Sequence, residues 1–126
     1  RKRVVVVTNG FDPEIINMPP VKLTNKFTIT YTGSFYIGKR DPVSFLKALR
    51  LLIQEGVIST NDVVVRFYGH ESKWLKEKIK NFKLSKIVKQ NGMLSHSEAI
   101  RKQRESQLLL FLNWKDSKER GVYSGK

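Results

Sequence analysis

Four apolar segments alternate with three amphipathic segments along this chain, and that order restricts its fold more than any other feature. The segments Phe27–Thr32 and Val63–Tyr68 are rich in β-branched and aromatic residues, as buried strands are. A shorter strand is predicted within KIVKQNG (86–92), and a fourth in LLLFL (108–112), which is apolar throughout and therefore expected to be central. Alternating strands and helices predict an α/β fold with a parallel sheet and right-handed crossovers.

Each predicted helix has its own start signal. Asp41-Pro42 supplies an N-cap followed by a first-turn proline, and Gly56 suits the end of that helix. Ser72 can cap the second helix. Ser95-x-x-Glu98 is a capping box for a third helix from about residue 97 to 104.

The segment before the alternation is interpreted as an interdomain linker that leads into the domain. Residues 4–7 are four valines and predict a short strand, and Asp12-Pro13 could begin a short helical segment that Pro19-Pro20 ends. We therefore divide the chain into a linker, 1–25, and a ligand-binding domain, 26–126. The ends of the sequence, RKRVVVV and GVYSGK, indicate a fragment of a longer protein.

Composition limits the classes of partner. Lys and Arg number 24 against 11 Asp and Glu, a net charge of +13 that favours anionic partners. The absence of cysteine excludes disulfides and cysteine zinc sites, and with two histidines, His70 and His96, no metal is expected. Five lysines on the second helix are interpreted as a solvated face, with contact to an acidic membrane as the alternative: Lys73, Lys76, Lys78, Lys80 and Lys83.

Loops that follow parallel strands meet at one edge of the sheet, where ligands of open α/β folds bind. Here those loops span 33–41, 69–72, 92–95 and 113–126, and three of them begin with or near glycine. Glycine lets backbone approach a ligand, so the cations in these loops predict an anion site, for instance for a nucleoside diphosphate. The cations are Lys39, Arg40, Lys115, Lys118, Arg120 and Lys126.

The first of these loops matches part of a P-loop. In YTGSFYIGKRDP (31–42), Gly33, Gly38 and Lys39 have the spacing G-x-x-x-x-G-K, but Arg40 occupies the place of the Ser or Thr that binds magnesium. The helix start at Asp41-Pro42 leaves both cations in the loop, and bulky residues (35–37) oppose a tight wrap. We therefore predict a metal-free diphosphate loop in which the planar fork of Arg40 binds phosphate oxygens. The alternative is a surface cation beside Asp41.

Five segments in the right order resemble one family, glycosyltransferase family 4, in the donor-binding C-terminal domain of its GT-B fold. They are VVVVTNGFDPEII, ITYTGSFYIGKRDPVSFLKAL, VVVRFYGHESKWLKEKI, IVKQNGMLSHSEAI and QLLLFLNWKDSKERGVYSGK. The resemblance covers essentially the whole chain. It implies a Rossmann-like parallel sheet with flanking helices, truncated at its C-terminus.

The resemblance also implies roles for single residues. Gly33 and Ser34 would lie against the donor phosphates. The family usually has an arginine directly after that glycine, whereas here Lys39 and Arg40 follow later. Arg40 is favoured as the diphosphate ligand, with Lys39 as an alternative and Lys126 as a second cation.

A base and sugar pocket and a catalytic residue are implied in the same way. Glu119 lies near the first of two family glutamates spaced E-x7-E, and the second would fall beyond residue 126, so the chain alone is expected to be inactive. His70 could instead be a loop residue without function, and Trp114 is expected to serve packing rather than the sugar pocket. The pocket residues are Gly69, His70, Gly92, Met93, Leu94, Tyr123 and Ser124.

The activity implied is transfer of a sugar, with retention, from a nucleoside-diphosphate sugar to an acceptor hydroxyl in polysaccharide or glycan biosynthesis. No cofactor is implied. The acceptor, a glycan or a lipid-linked glycan, would be held by an N-terminal domain, and the protein is expected in the cytoplasm or peripherally at the inner face of the membrane. The alternative is a basic nucleic-acid-binding module without enzymatic activity, although the resemblance leads us to expect no nucleic acid.

Overall fold

The computed structural model describes residues 2–7, 10, 13 and 17–114. Its strands form one four-stranded, all-parallel sheet in the order β3-β2-β1-β4. The predicted α/β fold, a Rossmann-like parallel sheet with flanking helices, is confirmed. The elements in chain order are β1 (Phe27–Thr32), α1 (Val43–Gln54), β2 (Val63–Tyr68), α2 (Lys73–Asn81), β3 (Val88–Gln90), α3 (His96–Arg104) and β4 (Leu108–Leu109).

One face of the sheet carries the apolar core. Alternate residues of a strand point to opposite faces, and on this face Ile29, Val65 and Phe67 are buried among the inward side chains of α1 and α2. Leu46 of α1 and Leu75 of α2 are fully buried there. Both helices therefore cover the same side of the sheet.

The opposite face is polar and belongs to α3 and the residues that follow it. The hydroxyl groups of Thr30 and Ser106 are 2.7 Å apart, and the side-chain amide of Gln103 donates to Thr32 Oγ1 at 2.6 Å. Arg66 of β2 makes an ion pair with Glu105 at 2.7 Å. Because α3 crosses back over this second face, β4 is placed on the other side of β1 from β2.

The predicted caps are confirmed in two helices and shifted in the third. Ser72 Oγ accepts from the amide of Leu75, and Ser95 with Glu98 forms the expected capping box. At α1 the cap position falls on Pro42, one residue later than predicted, but Asp41 Oδ1 still accepts from the amide of Val43 at 3.0 Å. Within the described residues, no helix combines the length and the apolar character needed to cross a membrane.

The strand predicted at residues 4–7 is wrong. The valines of this stretch lie outside every strand of the described chain, and their side chains are 69–88% exposed. An apolar run becomes a strand only where a partner satisfies its backbone hydrogen bonds, and no described strand pairs with this segment. Most of the short helical segment predicted after Asp12-Pro13 lies outside the described residues.

The predicted central position of the fourth strand is also wrong. Only Leu108 and Leu109 pair, against Ile29 and Thr30 of β1, and β4 is an edge strand of the described sheet. Leu108 and Leu109 are 42% and 54% exposed. An apolar run predicts that a segment is buried, but it does not determine the position of that strand in the strand order of the sheet.

Candidate anion-binding site

The strand order places a topological switch point between β1 and β4. From β1 the chain passes through α1 to β2 on one side, whereas α3 brings it back over the other face of the sheet to β4. Helices on opposite faces leave a crevice at the carboxyl ends of the two strands where the order reverses, and ligands of open α/β sheets bind in that crevice. The loops after β1 and β4 are therefore the place to look for a site.

Three glycines predicted to approach a ligand form a row along this edge. The amide of Gly33 donates to the carbonyl oxygen of Tyr68 at 2.8 Å, and the amide of Gly69 donates to the carbonyl oxygen of Gly92 at 2.9 Å. All three glycines have positive φ angles. The row continues the parallel hydrogen bonding past the ends of β1, β2 and β3, and it presents backbone without side chains.

The loop after β1 closes into a tight turn. The amide of Tyr36 donates to the carbonyl oxygen of Arg40 at 2.9 Å, and the amide of Arg40 donates back to Tyr36 at 2.8 Å. Gly38 adopts a φ of 76° inside the turn, and its amide donates to Asp41 Oδ2 at 3.0 Å. Since the same carboxylate also caps α1, the backbone of Lys39 and Arg40 is fixed between a closed turn and a helix start.

Phe35 attaches the loop after β1 to the apolar core. Its ring stacks on Tyr31 with centroids 4.7 Å apart and meets the edge of Phe67 at 5.2 Å, so the residue packs against the core. The Tyr31 hydroxyl donates to the carbonyl oxygen of Ser34 at 3.0 Å. Burial raises the pKa of the Tyr31 phenol, although the charge of Arg40 lowers it in part. The bulky residue that opposes a P-loop wrap is thus a structural anchor.

Two cations and two aromatic rings meet above this turn, and we call Tyr36, Lys39, Arg40 and Trp114 the cation–aromatic cluster. The Tyr36 and Trp114 rings have centroids 5.3 Å apart. Arg40 Cζ lies 5.1 Å from the Tyr36 centroid and 5.7 Å from that of Trp114. Lys39 Nζ lies 5.5 Å from the Trp114 centroid. The cluster joins the loop after β1 to the loop after β4, across the switch point.

The remaining predicted residues of the described chain are placed less closely together. Ser34 contributes its backbone carbonyl, which accepts from Arg40 Nη2 at 3.5 Å, and no hydrogen bond of its hydroxyl is found within the described residues. His70 and Met93 are exposed and Leu94 is half-buried. In residues 17–114, no hydrogen bond or ring contact joins these three to the cation–aromatic cluster.

Several predicted site residues lie outside the described residues. They include the catalytic candidate, the second diphosphate cation and two members of the base and sugar pocket, so the structure does not test them. These residues are Glu119, Tyr123, Ser124 and Lys126, together with the loop cations Lys115, Lys118 and Arg120.

Sequence reasoning missed the role of the aromatic rings. From sequence, Tyr36 is one of the bulky residues that oppose a P-loop, and Trp114 is predicted to serve packing. The signal was an aromatic residue in each of two strand-end loops, but the two loops meet only if β4 lies beside β1, and the order of the strands cannot be obtained from local pattern.

A surface cavity lies beside the carboxyl ends of β1 and β4. It measures about 140 Å³ and opens on the side of the sheet covered by α3. Within the described residues, no group of three or more His, Cys, Asp or Glu side chains is arranged to hold a metal ion. The cavity is lined by Thr32, Gln103, Leu109, Leu110 and Phe111.

Comparison with known proteins does not assign the chain to a family. No model of a known protein family matches the sequence, and no curated protein matches it.

Proposed function

We propose that this chain is the donor-binding domain of a glycosyltransferase that uses a nucleoside-diphosphate sugar. The reaction would transfer the sugar to an acceptor hydroxyl with retention of configuration, in the synthesis of a polysaccharide or another glycan. The resemblance to glycosyltransferase family 4 supplies this activity, and the geometry of the strand-end edge supports it.

The observation that carries the proposal is the position of Lys39 and Arg40. Both lie at the switch point, on a loop that begins at Gly33 and ends at the N-terminus of α1. Their side chains converge on one ring, that of Trp114, instead of pointing to different sides of the molecule. Two neighbouring cations on a loop that begins at a half-buried glycine fit two linked phosphate groups.

The chemistry required of such a site is modest. When the sugar leaves, negative charge develops on the nucleoside diphosphate, and fixed cations and amide dipoles at that position stabilise the transition state. Arg40 can bond two oxygens at once because its guanidinium is planar, while Lys39 contributes a point charge. The closed turn that starts at Tyr36 fixes the backbone of both residues before the ligand arrives, which reduces the ordering cost of binding.

Direct binding measurements test this proposal. UDP, GDP, ADP and CDP, and then the corresponding sugars, would be titrated into the protein by calorimetry with and without EDTA. We expect one nucleoside diphosphate to bind with micromolar to millimolar affinity, with binding unaffected by the chelator. Failure of every nucleotide and nucleotide sugar to bind a folded protein would refute the proposal, and binding that disappears with EDTA would refute its metal-free form.

Nucleic-acid binding is the second candidate, and one observation favours it. Three exposed lysines lie at spacings that place them along one side of α2, and a fourth follows the end of the helix. None of the four makes an ion pair within the described residues: Lys73, Lys76, Lys80 and, after the helix, Lys83. Binding to this face would weaken steeply with salt. A variant with all four lysines changed to glutamine should lose nucleic-acid affinity but retain nucleotide binding if our proposal is right.

A further inference from the structure

The cation–aromatic cluster contains two positive charges from adjacent residues on one indole ring. Lys39 Nζ and Arg40 Cζ lie 5.5 and 5.7 Å from the Trp114 centroid. Within the described residues the ion pairs join Glu105 to Arg66 and Lys102, and neither Lys39 nor Arg40 takes part in one. Like charges this close repel each other unless something negative compensates them, and the π faces of the two rings contribute to that compensation.

Arg40 is held without being fully hydrogen-bonded. Its Nε is buried and makes no hydrogen bond within the described residues, and its Nη2 reaches only the Ser34 carbonyl at 3.5 Å. A buried guanidinium nitrogen without a partner is costly, so an anion that supplied the missing acceptor would be favoured. Among the described residues, the guanidinium is thus positioned mainly by ring contacts, with one long hydrogen bond to the Ser34 carbonyl.

Packing in the apolar core does not account for the positions of the Tyr36 and Trp114 rings. Tyr36 is 47% exposed, and Trp114 is half-buried at the end of the described chain. Neither belongs to the apolar core, whereas the neighbouring Phe35 does. A pair of aromatic rings left at the surface, each within cation–π distance of Arg40, is accounted for by the cations it holds.

We propose that Tyr36 and Trp114 are positioning residues that hold Lys39 and Arg40 side by side to receive a diphosphate group. This inference rests on the proposed function for the identity of the natural ligand, but its own content is narrower. It states that pyrophosphate affinity depends on the indole of Trp114, and that the fluorescence of this indole changes when the ligand binds. On binding, the two cations turn toward the phosphate oxygens and their contact with the ring changes.

Tryptophan fluorescence tests the inference directly. The chain has two tryptophans, and Trp74 packs against the core, so Trp74→Phe leaves Trp114 as the single reporter. In that background, removing a cation by Lys39→Ala or Arg40→Ala should alter the emission of the ligand-free protein. Sodium pyrophosphate should produce a saturable change in emission. No change with either the substitutions or saturating pyrophosphate would overturn the proposal.

Calorimetry with sodium pyrophosphate then separates positioning from packing. Trp114→Leu should weaken binding by about three- to thirtyfold, the range expected for loss of a cation–π contact, whereas Trp114→Phe should recover part of it. Phe111→Leu is the matched control, since Phe111 is an exposed aromatic of the same segment without a contact to the cations. Thermal unfolding of each variant identifies any that fail to fold, and Trp114→Phe is the decisive variant if Trp114→Leu does.

The outcomes distinguish this inference from the proposed function. Unchanged pyrophosphate affinity in folded Trp114→Leu and Trp114→Phe would overturn the positioning role and leave nucleotide-sugar binding intact. Trp114-dependent pyrophosphate binding in a protein that binds no nucleotide sugar would support the positioning role and refute the glycosyltransferase. Absence of any pyrophosphate binding would overturn the inference.

Discussion

The backbone of Gly69 lies directly against that of Gly33, with no room between them for a side chain. A Cβ added to Gly69 would overlap the carbonyl oxygen of Gly33 and lie 3.0 Å from its carbonyl carbon. Gly69 also has a φ of 146°, which L side chains rarely adopt. The close approach of Gly33 and Gly69 at the carboxyl edge of the sheet is therefore a packing requirement.

Gly69→Ala should accordingly be strongly destabilising. The substitution combines an unfavourable φ with a backbone overlap that no rotamer change can relieve, and we expect a loss of about 2–5 kcal/mol in the free energy of unfolding. Urea denaturation followed by circular dichroism measures the loss. Because Gly33 must move to make room, the proposed nucleotide binding should weaken as well.

Gly56→Ala is the control that separates the effect of the φ angle from the effect of the backbone overlap. Gly56 has a φ of 72° at the end of α1, but a Cβ there would meet nothing within 4 Å. The cost should be that of the φ alone, about 1–2 kcal/mol. Equal losses in the two variants would show that the contact between Gly33 and Gly69 relaxes easily.

Glu105, at the end of α3, makes an ion pair with the sheet. Its substitution should remove a pH-dependent contribution to the free energy of unfolding. Its carboxylate accepts from Arg66 at 2.7 Å and from Lys102 at 2.8 Å. Burial raises the pKa of this carboxyl, but the hydrogen bonds and charges of Lys102 and Arg66 outweigh it and lower the pKa overall. A lowered pKa in the folded state means that the stabilisation is present above the ordinary glutamate pKa of 4.5 and is lost as the pH falls below it.

Glu105→Gln should therefore cost about 1–3 kcal/mol at pH 7, and the difference from the unmodified protein should shrink as the pH falls toward 3. Denaturant titrations at pH 7, 5, 4 and 3 give this difference directly. Glu77→Gln, at an exposed position of α2 without an ion pair in the described chain, should show little effect at any pH. A constant difference for Glu105→Gln between pH 7 and 3 would contradict the assignment.

Local pattern identifies the strands and helices of the described sheet, but it also predicts a strand at residues 4–7 that is not found there, and it does not give the arrangement of the elements. Runs such as Val63–Tyr68 are β-branched and apolar enough to identify a strand, and Ser72 and Ser95 identify helix starts because their hydroxyls cap nearby amides. Strand order, in contrast, depends on contacts between distant parts of the chain. That is why residues 108–112 were wrongly expected at the centre of the sheet.

The candidate site likewise combines residues that local pattern identifies with contacts that it does not predict. Lys39 and Arg40 could be singled out because glycine and cations follow a strand and precede a helix cap. The contact between Tyr36 and Trp114 could not be foreseen, since these residues are far apart in sequence and meet only because β4 pairs with β1. Contacts across a switch point become predictable only when the order of the sheet is known.

The capping box of α3 gives a prediction that can be tested by the pKa of a single carboxyl group. Glu98 has a lowered pKa, chiefly because the Ser95 side chain donates to its carboxylate at 2.6 Å, and the Ser95 amide donates to it as well. Ser95→Ala should raise the pKa of Glu98 toward its ordinary value and reduce stability by about 1 kcal/mol through loss of the cap. Carbon-detected NMR titration of the Glu98 carboxyl measures the pKa, and Ser95→Thr, which retains a hydroxyl, should keep it low.

The last prediction concerns Arg40 and the activity of the proposed glycosyltransferase. A charge-assisted contact with phosphate is typically worth about 1.5–3 kcal/mol, so Arg40→Ala should lower kcat/KM for the donor by about ten- to a hundredfold or more. Arg40→Lys should recover only part of the loss, because an ammonium group cannot bond two oxygens as the fork does and fits the faces of Tyr36 and Trp114 differently. Lys80→Ala, at an exposed position of α2, is the control and should leave donor kinetics unchanged. Normal donor kinetics in folded Arg40→Ala would transfer the role to another cation, and Lys39→Ala would then be the variant to measure.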